Sequence, residues 1–358
     1  MPNLLLVNGR VIDPASGRDE VADVALSEGL VTAIARKIDR APAARVIDCE
    51  GKLVVPGLID PHVHLREPGH EHKETLATGS RSAVAGGFTS IACMPNTSPA
   101  LDSPELVRFI YDRAASSAVC RVFPVAAATR ARKGDELAEI QLLARAGAVG
   151  FSDDGDCIAS AGMMIKALAA VKQTGLALMQ HAQESSLTKG ASMHAGEVAV
   201  RLGLGGWPRV AEEIIVERDI RLNRAIGCRY HVQHVSSSET VEMIRRARSS
   251  GQPVSGEASP HHLHLTHEAC DRYDTRAKVN PPLRERADIE ALRAGVADGT
   301  IAVLATDHAP HSSLEKDCEL AEASPGMIGL ELVVPVLWIL VRSGAVPLAR
   351  LVDALTRA

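Results

Sequence analysis

The chain has 358 residues, 46% hydrophobic and 23% charged, with a net charge of −5 and both signs spread along its length. That is the balance of an ordinary globular protein. No basic stretch points to nucleic acid, and no apolar run approaches the roughly 20 residues that span a bilayer.

The start, MPNLLLVNGRVID, has no basic stretch leading into a long apolar one, so no secretion signal is expected. Seven cysteines, an odd number without C-x-x-C spacing, read as reduced thiols of a cytoplasmic protein, with Cys93 and Cys228 as small core residues. Residues 1–52 read as a small β-sheet domain, with hairpin-type breaks at Asn8-Gly9 and Glu28-Gly29. From Leu53 the texture changes to strand–helix alternation. Strands are predicted over 53–59, 89–94, 121–127, 148–152, 176–181, 229–235, 253–258 and 301–306. Helices are predicted over 104–117, 135–146, 160–174, 209–225, 238–250, 285–298 and 328–342. Eight such units predict an α/β fold, a (β/α)8 TIM barrel over 53–344, with a C-terminal helix over 345–358. A doubly wound sheet is the alternative, but no G-x-G-x-x-G follows the first strand.

In such a barrel the active site lies at the C-terminal strand ends. Strand 1 leads into His62 and His64, whose spacing of two puts both imidazoles on one face of a strand. A lone H-x-H is more often incidental. Here strand 4 ends in Ser152-Asp153-Asp154, strand 5 in Gln180-His181, strand 6 in Gln233-His234 and strand 8 in Thr306-Asp307-His308. The set exceeds the needs of one four-coordinate ion and suits two ions sharing a bridging group. His62, His64 and Asp307 are assigned to one ion and His181 and His234 to the other, with one Asp of strand 4 between them. Asp307 doubles as general base. Arg66, two past His64, shares the ligand face if the strand continues, and offers a planar fork to a carboxylate. PHHLHLTH (260–267) reads as a loop with histidines on mixed faces, and His308 should point away from the metals.

The motifs PGLIDPHVHLREPGHEHKET (56–75), GGFTSIACMPNTSP (86–99), GFSDDGD (150–156), QHAQ (180–183), HVQHVSS (231–237), KVNPPLR (278–284) and ATDHAPH (305–311), with the lid-like stretch 315–331, resemble the type I dihydroorotases of the amidohydrolase superfamily. The resemblance implies reversible interconversion of L-dihydroorotate and N-carbamoyl-L-aspartate in de novo pyrimidine synthesis. It implies a metal-bound hydroxide and two zinc ions per chain, bridged by that hydroxide and by Asp154 rather than Asp153. It implies that Arg66, Asn96 and His311 hold the substrate carboxylate, that Asn280 meets the ring, and that Pro325 and Gly326 make backbone contacts; His64 also borders the substrate. Hydantoinases and dihydropyrimidinases share the H-x-H and late Asp motifs but usually bridge their metals with a carboxylated lysine after strand 4. Here the nearest lysines are Lys133 and Lys166. Members of the family typically continue into strands that complete the small sheet; those usual C-terminal strands are absent here, so truncation is the expectation.

The competing readings are another cyclic amidase, such as an allantoinase or hydantoinase, and a non-catalytic dihydroorotase-like subunit of aspartate carbamoyltransferase. Candidate partners are the small-molecule substrate, aspartate carbamoyltransferase and a second copy of the chain; nucleic acid and membrane are not expected. Residues 312–326, polar and helix-poor, read as a mobile cover.

Overall fold

The computed structural model describes residues 3–40, 43 and 45–357. A small sheet comes first, from β1 (Leu4–Asp13), β2 (Arg18–Ser27), β3 (Leu30–Ala35), β4 (Val46–Asp48) and β5 (Leu53–Val54), in the order β3-β2-β1-β4 with β5 also on β1. Glu28 and Gly29, with φ of 51° and 78°, make the tight β2–β3 hairpin expected there. Asn8-Gly9 is not a second hairpin. It is a bulge within β1, with Asn8 at φ 62° and the pairing slipping between Leu6 and Gly9. The Asn8 N–H donates to Asp23 at 3.0 Å, so the strand continues past the slip. Leu5, Val7 and Ala25 form one apolar cluster, and Val11, Ala22 and Val24 another. Among the described residues β3 pairs with β2 alone, and Leu30 is 69% exposed.

Eight parallel strands then build the barrel: β6 (Leu58–Val63), β7 (Phe88–Cys93), β8 (Arg121–Ala126), β9 (Gly150–Ser152) and β10 (Ala177–Gln180). A separate ribbon of β11 (Met193–His194) and β12 (Gly206–Trp207) precedes β13 (Arg229–Val232), β14 (Val254–Ala258) and β15 (Val303–Leu304). Each barrel strand bonds the next, and a parallel bridge from Val63 to His308 nearly closes the ring. Helices fall between the strands where the alternation places them, among them Pro104–Ser117, Ala161–Lys172, Val210–Ile226, Ser238–Ser249 and Arg286–Asp298. The first of these starts as its sequence dictates: Ser103 Oγ accepts the Leu106 N–H and Pro104 fills a position needing no donor. Leu58, Ile91, Val122, Phe151, Leu178, Tyr230 and Val254 belong to the main buried core. Ala92, Met94, Val125 and Met179 form a smaller cluster. The parity is visible in β10, where Leu178 joins the main core and its neighbour Met179 the smaller one.

The first barrel strand differs from the predicted 53–59. Leu53 and Val54 pair with Arg10 and Val11 of β1 in the small sheet, and the barrel strand begins only at Leu58. Pro56 cannot donate to a ladder, and Gly57 lies so close to β7 that a Cβ there would stand 2.2 Å from Thr89 Oγ1. One apolar run therefore serves two sheets. PHHLHLTH also departs from its reading as a loop: Pro260–His264 is a short helix, with His261 and His262 buried. All seven cysteines are unpaired, and Cys93 and Cys228 are buried. Among the described residues no helix is long and apolar enough to cross a membrane.

Candidate metal centre

Strand parity places the first ligands. In β6, Asp60 and His62 are fully buried on one face while Ile59 is 42% exposed. Asp60 accepts hydrogen bonds from Thr306 N–H and Oγ1 and from the His62 N–H, tying the first barrel strand to the end of the last. Burial pushes the Asp60 carboxyl up to about 7, against these hydrogen bonds. The His64 N–H donates to the His308 carbonyl at 2.8 Å, which holds the second imidazole of the pair at the rim.

Asp154 is the hub of the site. Its Oδ1 lies 3.3 Å from His62 Nε2, 3.4 Å from His234 Nε2 and 3.6 Å from His181 Nδ1, and its Oδ2 lies 3.5 Å from His64 Nε2. Asp307 Oδ1 lies 3.1 Å from His64 Nε2 and 3.6 Å from His62 Nε2. Two groups of potential ligand atoms result, His62–His64–Asp154 and Asp154–His181–His234, each within 4.8 Å and each buried. His62 Nε2 and Asp154 Oδ1 are buried without a hydrogen-bond partner of normal geometry. Such atoms are costly unless something else takes them up, and imidazole nitrogens converging on carboxylate oxygens suit a divalent cation. The residues therefore fit a metal centre. Asp153 is excluded from it: its Oδ1 accepts the backbone N–H groups of Ala128 and Thr129 at 2.9 and 3.0 Å.

The electrostatics follow from this crowding. Burial alone would raise the Asp154 carboxyl, but His62, His181 and His234 outweigh it and hold it well below the usual range. Burial would lower His62, yet Glu257 and Asp154 raise it well above the ordinary imidazole value. His64 is lowered, by burial and by the nearby Arg66 charge. Asp307 is held far down despite its burial, chiefly by His62 and His64, so it is ionised at neutral pH.

The remaining sequence-derived residues line the same rim. Arg66 does not reach it by continuing the strand, because β6 ends at Val63 and Arg66 has φ 63°. Its Nε donates to the Pro310 carbonyl at 3.2 Å and its Nη2 lies 3.3 Å from His311 Nε2. His234 and Asp307 also take positive φ, 31° and 49°. Left-handed backbone at non-glycine residues costs on the order of 1 kcal/mol each and persists where surroundings enforce it, often at sites of function. Asn96 Oδ1 lies 2.9 Å from His64 Nδ1 and so steadies that imidazole from behind. Asn280 Nδ2 lies 3.5 Å from Gln183 Oε1, and its own Oδ1 is buried without a partner. The Pro325 carbonyl is 2.9 Å from His311 Nε2. Gly326, at φ 142°, approaches so closely that a Cβ would stand 2.6 Å from the Ala309 carbonyl oxygen. Residues 312–326 are docked by Lys278 Nζ, which donates to the Leu320 and Ala321 carbonyls at 2.8 and 2.9 Å. His308 turns away as expected, toward Glu74 and the Gly329 N–H.

Sequence reasoning missed two residues. Glu257, fully buried in β14, bonds His62 Nδ1 and lies 3.0 Å from His231 Nε2. An acid inside the apolar run VSGEA was the available signal. Gln183 Oε1 lies 3.0 Å from His181 Nε2, and only its place in QHAQ hinted at that.

Residues 51–240 match the model of the dihydro-orotase-like family. The chain is 49% identical over 335 residues to a dihydroorotase of Pelotomaculum thermopropionicum, spanning 94% of this chain and 78% of that protein. It is 47% identical over 355 residues to a dihydroorotase of Anaeromyxobacter sp. strain K, spanning 99% and 82%. Among solved structures it resembles an L-hydantoinase from Arthrobacter aurescens, with TM-score 0.89 and 26% identity over 99% of this chain and 81% of that one.

Proposed function

The chain belongs to the dihydro-orotase-like family of amidohydrolases, and from that premise we propose that it is a dihydroorotase that opens and closes the ring between L-dihydroorotate and N-carbamoyl-L-aspartate. The observation that carries the reading is Asp154 set among four imidazoles with Asp307 beside it. His62, His64 and Asp307 would hold one divalent cation and His181 and His234 a second, with Asp154 shared; zinc is the cation we infer. When bound, such ions acidify water and polarise an amide carbonyl.

The protein's own groups supply the rest. The Arg66 guanidinium, with His311 and Asn96, is placed to hold the substrate carboxylate at the rim and so orient the ring. Water adds to the ring carbonyl carbon while the ionised Asp307 carboxylate takes its proton. The carbon–nitrogen bond then breaks as Asp307 returns that proton to the leaving nitrogen, and ring closure runs the same path backwards. The 312–326 segment, with its Pro325 carbonyl and Gly326 close to His311, would limit water at this point.

A hydantoinase is the rival, since solved neighbours carry that name. Hydantoinases usually bridge their metals with a carboxylated lysine, whereas Asp154 fills the centre here and Lys133 and Lys166 are exposed. A panel of L-dihydroorotate, hydantoin, dihydrouracil and allantoin, followed by ultraviolet absorbance with zinc-loaded protein, tests the proposal. Preferential opening of L-dihydroorotate, with no stimulation by bicarbonate, is expected. Preference for hydantoin or dihydrouracil would overturn it.

A further inference from the structure

One fully buried acid in contact with the site is not among the groups proposed to touch metal or substrate. Glu257 is 0% exposed. On β14, residues 255 and 257 share a face by strand parity, and Ser255 pairs in register with His231 of the adjacent β13. The side chains form a line through the barrel: Ser255 Oγ is 2.8 Å from His231 Nδ1, His231 Nε2 is 3.0 Å from Glu257 Oε2, and Glu257 Oε1 bonds His62 Nδ1. Oε1 also accepts the His234 N–H at 3.2 Å.

We propose that Glu257 is the positioning residue of the metal centre, fixing His62 with its proton on Nδ1 so that the Nε2 lone pair faces Asp154 and Asp307, with His231 anchoring the carboxylate from the other side. An ionised carboxylate only accepts, so both imidazoles must donate to it. His231 then accepts from the Ser255 hydroxyl, and the line is consistent from end to end. A competing arrangement is built into the same place. Gln233 Nε2 lies 3.3 Å from His62 Nδ1, while Gln233 Oε1 accepts the Ser152 hydroxyl at 2.8 Å. Were that amide the donor to Nδ1, the His62 proton would sit on Nε2 and block it as a ligand. Glu257 decides between the two tautomers, and its charge makes the ring a stronger donor to a cation.

The inference rests on reading the site as a metal centre, and its test needs no substrate, so an inactive protein on dihydroorotate would leave it decidable. Zn2+ affinity is measured by competition with a chromophoric chelator for the parent, Glu257→Gln, Glu257→Asp and His231→Asn. Glu257→Gln keeps the shape and removes the charge; it is expected to bind zinc about 10- to 100-fold more weakly. Glu257→Asp should fall between it and the parent, and His231→Asn should weaken binding less than Glu257→Gln. A folded Glu257→Gln with parental zinc affinity, lowered only in melting temperature, would reduce Glu257 to a structural role and overturn the proposal. Imidazole nitrogen NMR on the zinc-loaded parent decides it independently of any variant's folding. A proton on His62 Nδ1 with Nε2 bearing the metal supports it, and the reverse tautomer refutes it.

Discussion

The two ligand groups share Asp154 and use the same imidazole chemistry, yet they differ in what stands behind the rings. On one side His62 is backed by the Glu257 carboxylate and His64 by Asn96 Oδ1, and Asp307 stands among their inner nitrogens. On the other side His181 is backed by the neutral Gln183 amide, and Asp154 is the carboxylate within ion-pair distance of both rings, with Asp307 acting on them from farther away. The lesson is that the imidazoles do not rank the two positions; the carboxylates around them do. A cation on the His62–His64 side would be held by more negative charge, buried in a region of low effective dielectric.

The comparison can be broken from its centre outward. Asp154→Ala removes the group both sides share, so zinc should be lost from both and turnover should fall by more than about a thousandfold, some 4 kcal/mol in activation free energy; elemental analysis beside the dihydroorotate assay checks this. Asp307→Asn keeps the shape on the better-charged side but removes the proton acceptor. Turnover should drop by about 10²- to 10⁴-fold while much of the zinc remains, as steady-state rates and metal content measured together would show. With the parent, a chelator should strip zinc in two phases, the faster from the His181–His234 side. His181→Ala should abolish the fast phase and His64→Ala the slow one, and a single phase in the parent would remove the asymmetry. The smallest effect belongs to Gln183→Leu, expected to hasten the fast phase by less than about tenfold, since a neutral hydrogen bond is worth about 1 kcal/mol.

Much of this was legible in the sequence because barrel chemistry concentrates at strand ends, and the residues at or just past the ends of the predicted strands 1, 4, 5, 6 and 8 converge. Strand parity even put His62 and His64 on one face. What escaped has physical reasons. Leu53-Val54 and Leu58–Val63 read as one apolar run because hydrophobicity does not reveal which sheet a strand joins; Pro56 and Gly57 were the punctuation. Asn8-Gly9 carries a turn's residues but makes a bulge, since Asp23 of the neighbouring strand satisfies its N–H. Arg66 reaches the rim through a left-handed turn that no periodicity encodes. The choice between Asp153 and Asp154 lay in backbone N–H groups at 128 and 129, distant in sequence, although the family resemblance pointed to Asp154. Glu257 was hidden because a buried acid needs its partners in view before it can be explained.

The most direct test is to titrate zinc into metal-free protein while following ring opening of L-dihydroorotate on the same sample. Activity is expected to be absent at the start, to rise with zinc, and to level off as the second ion per chain is bound. Ring opening by the metal-free protein, or a folded protein holding two zinc ions per chain that leaves L-dihydroorotate intact, would contradict the account.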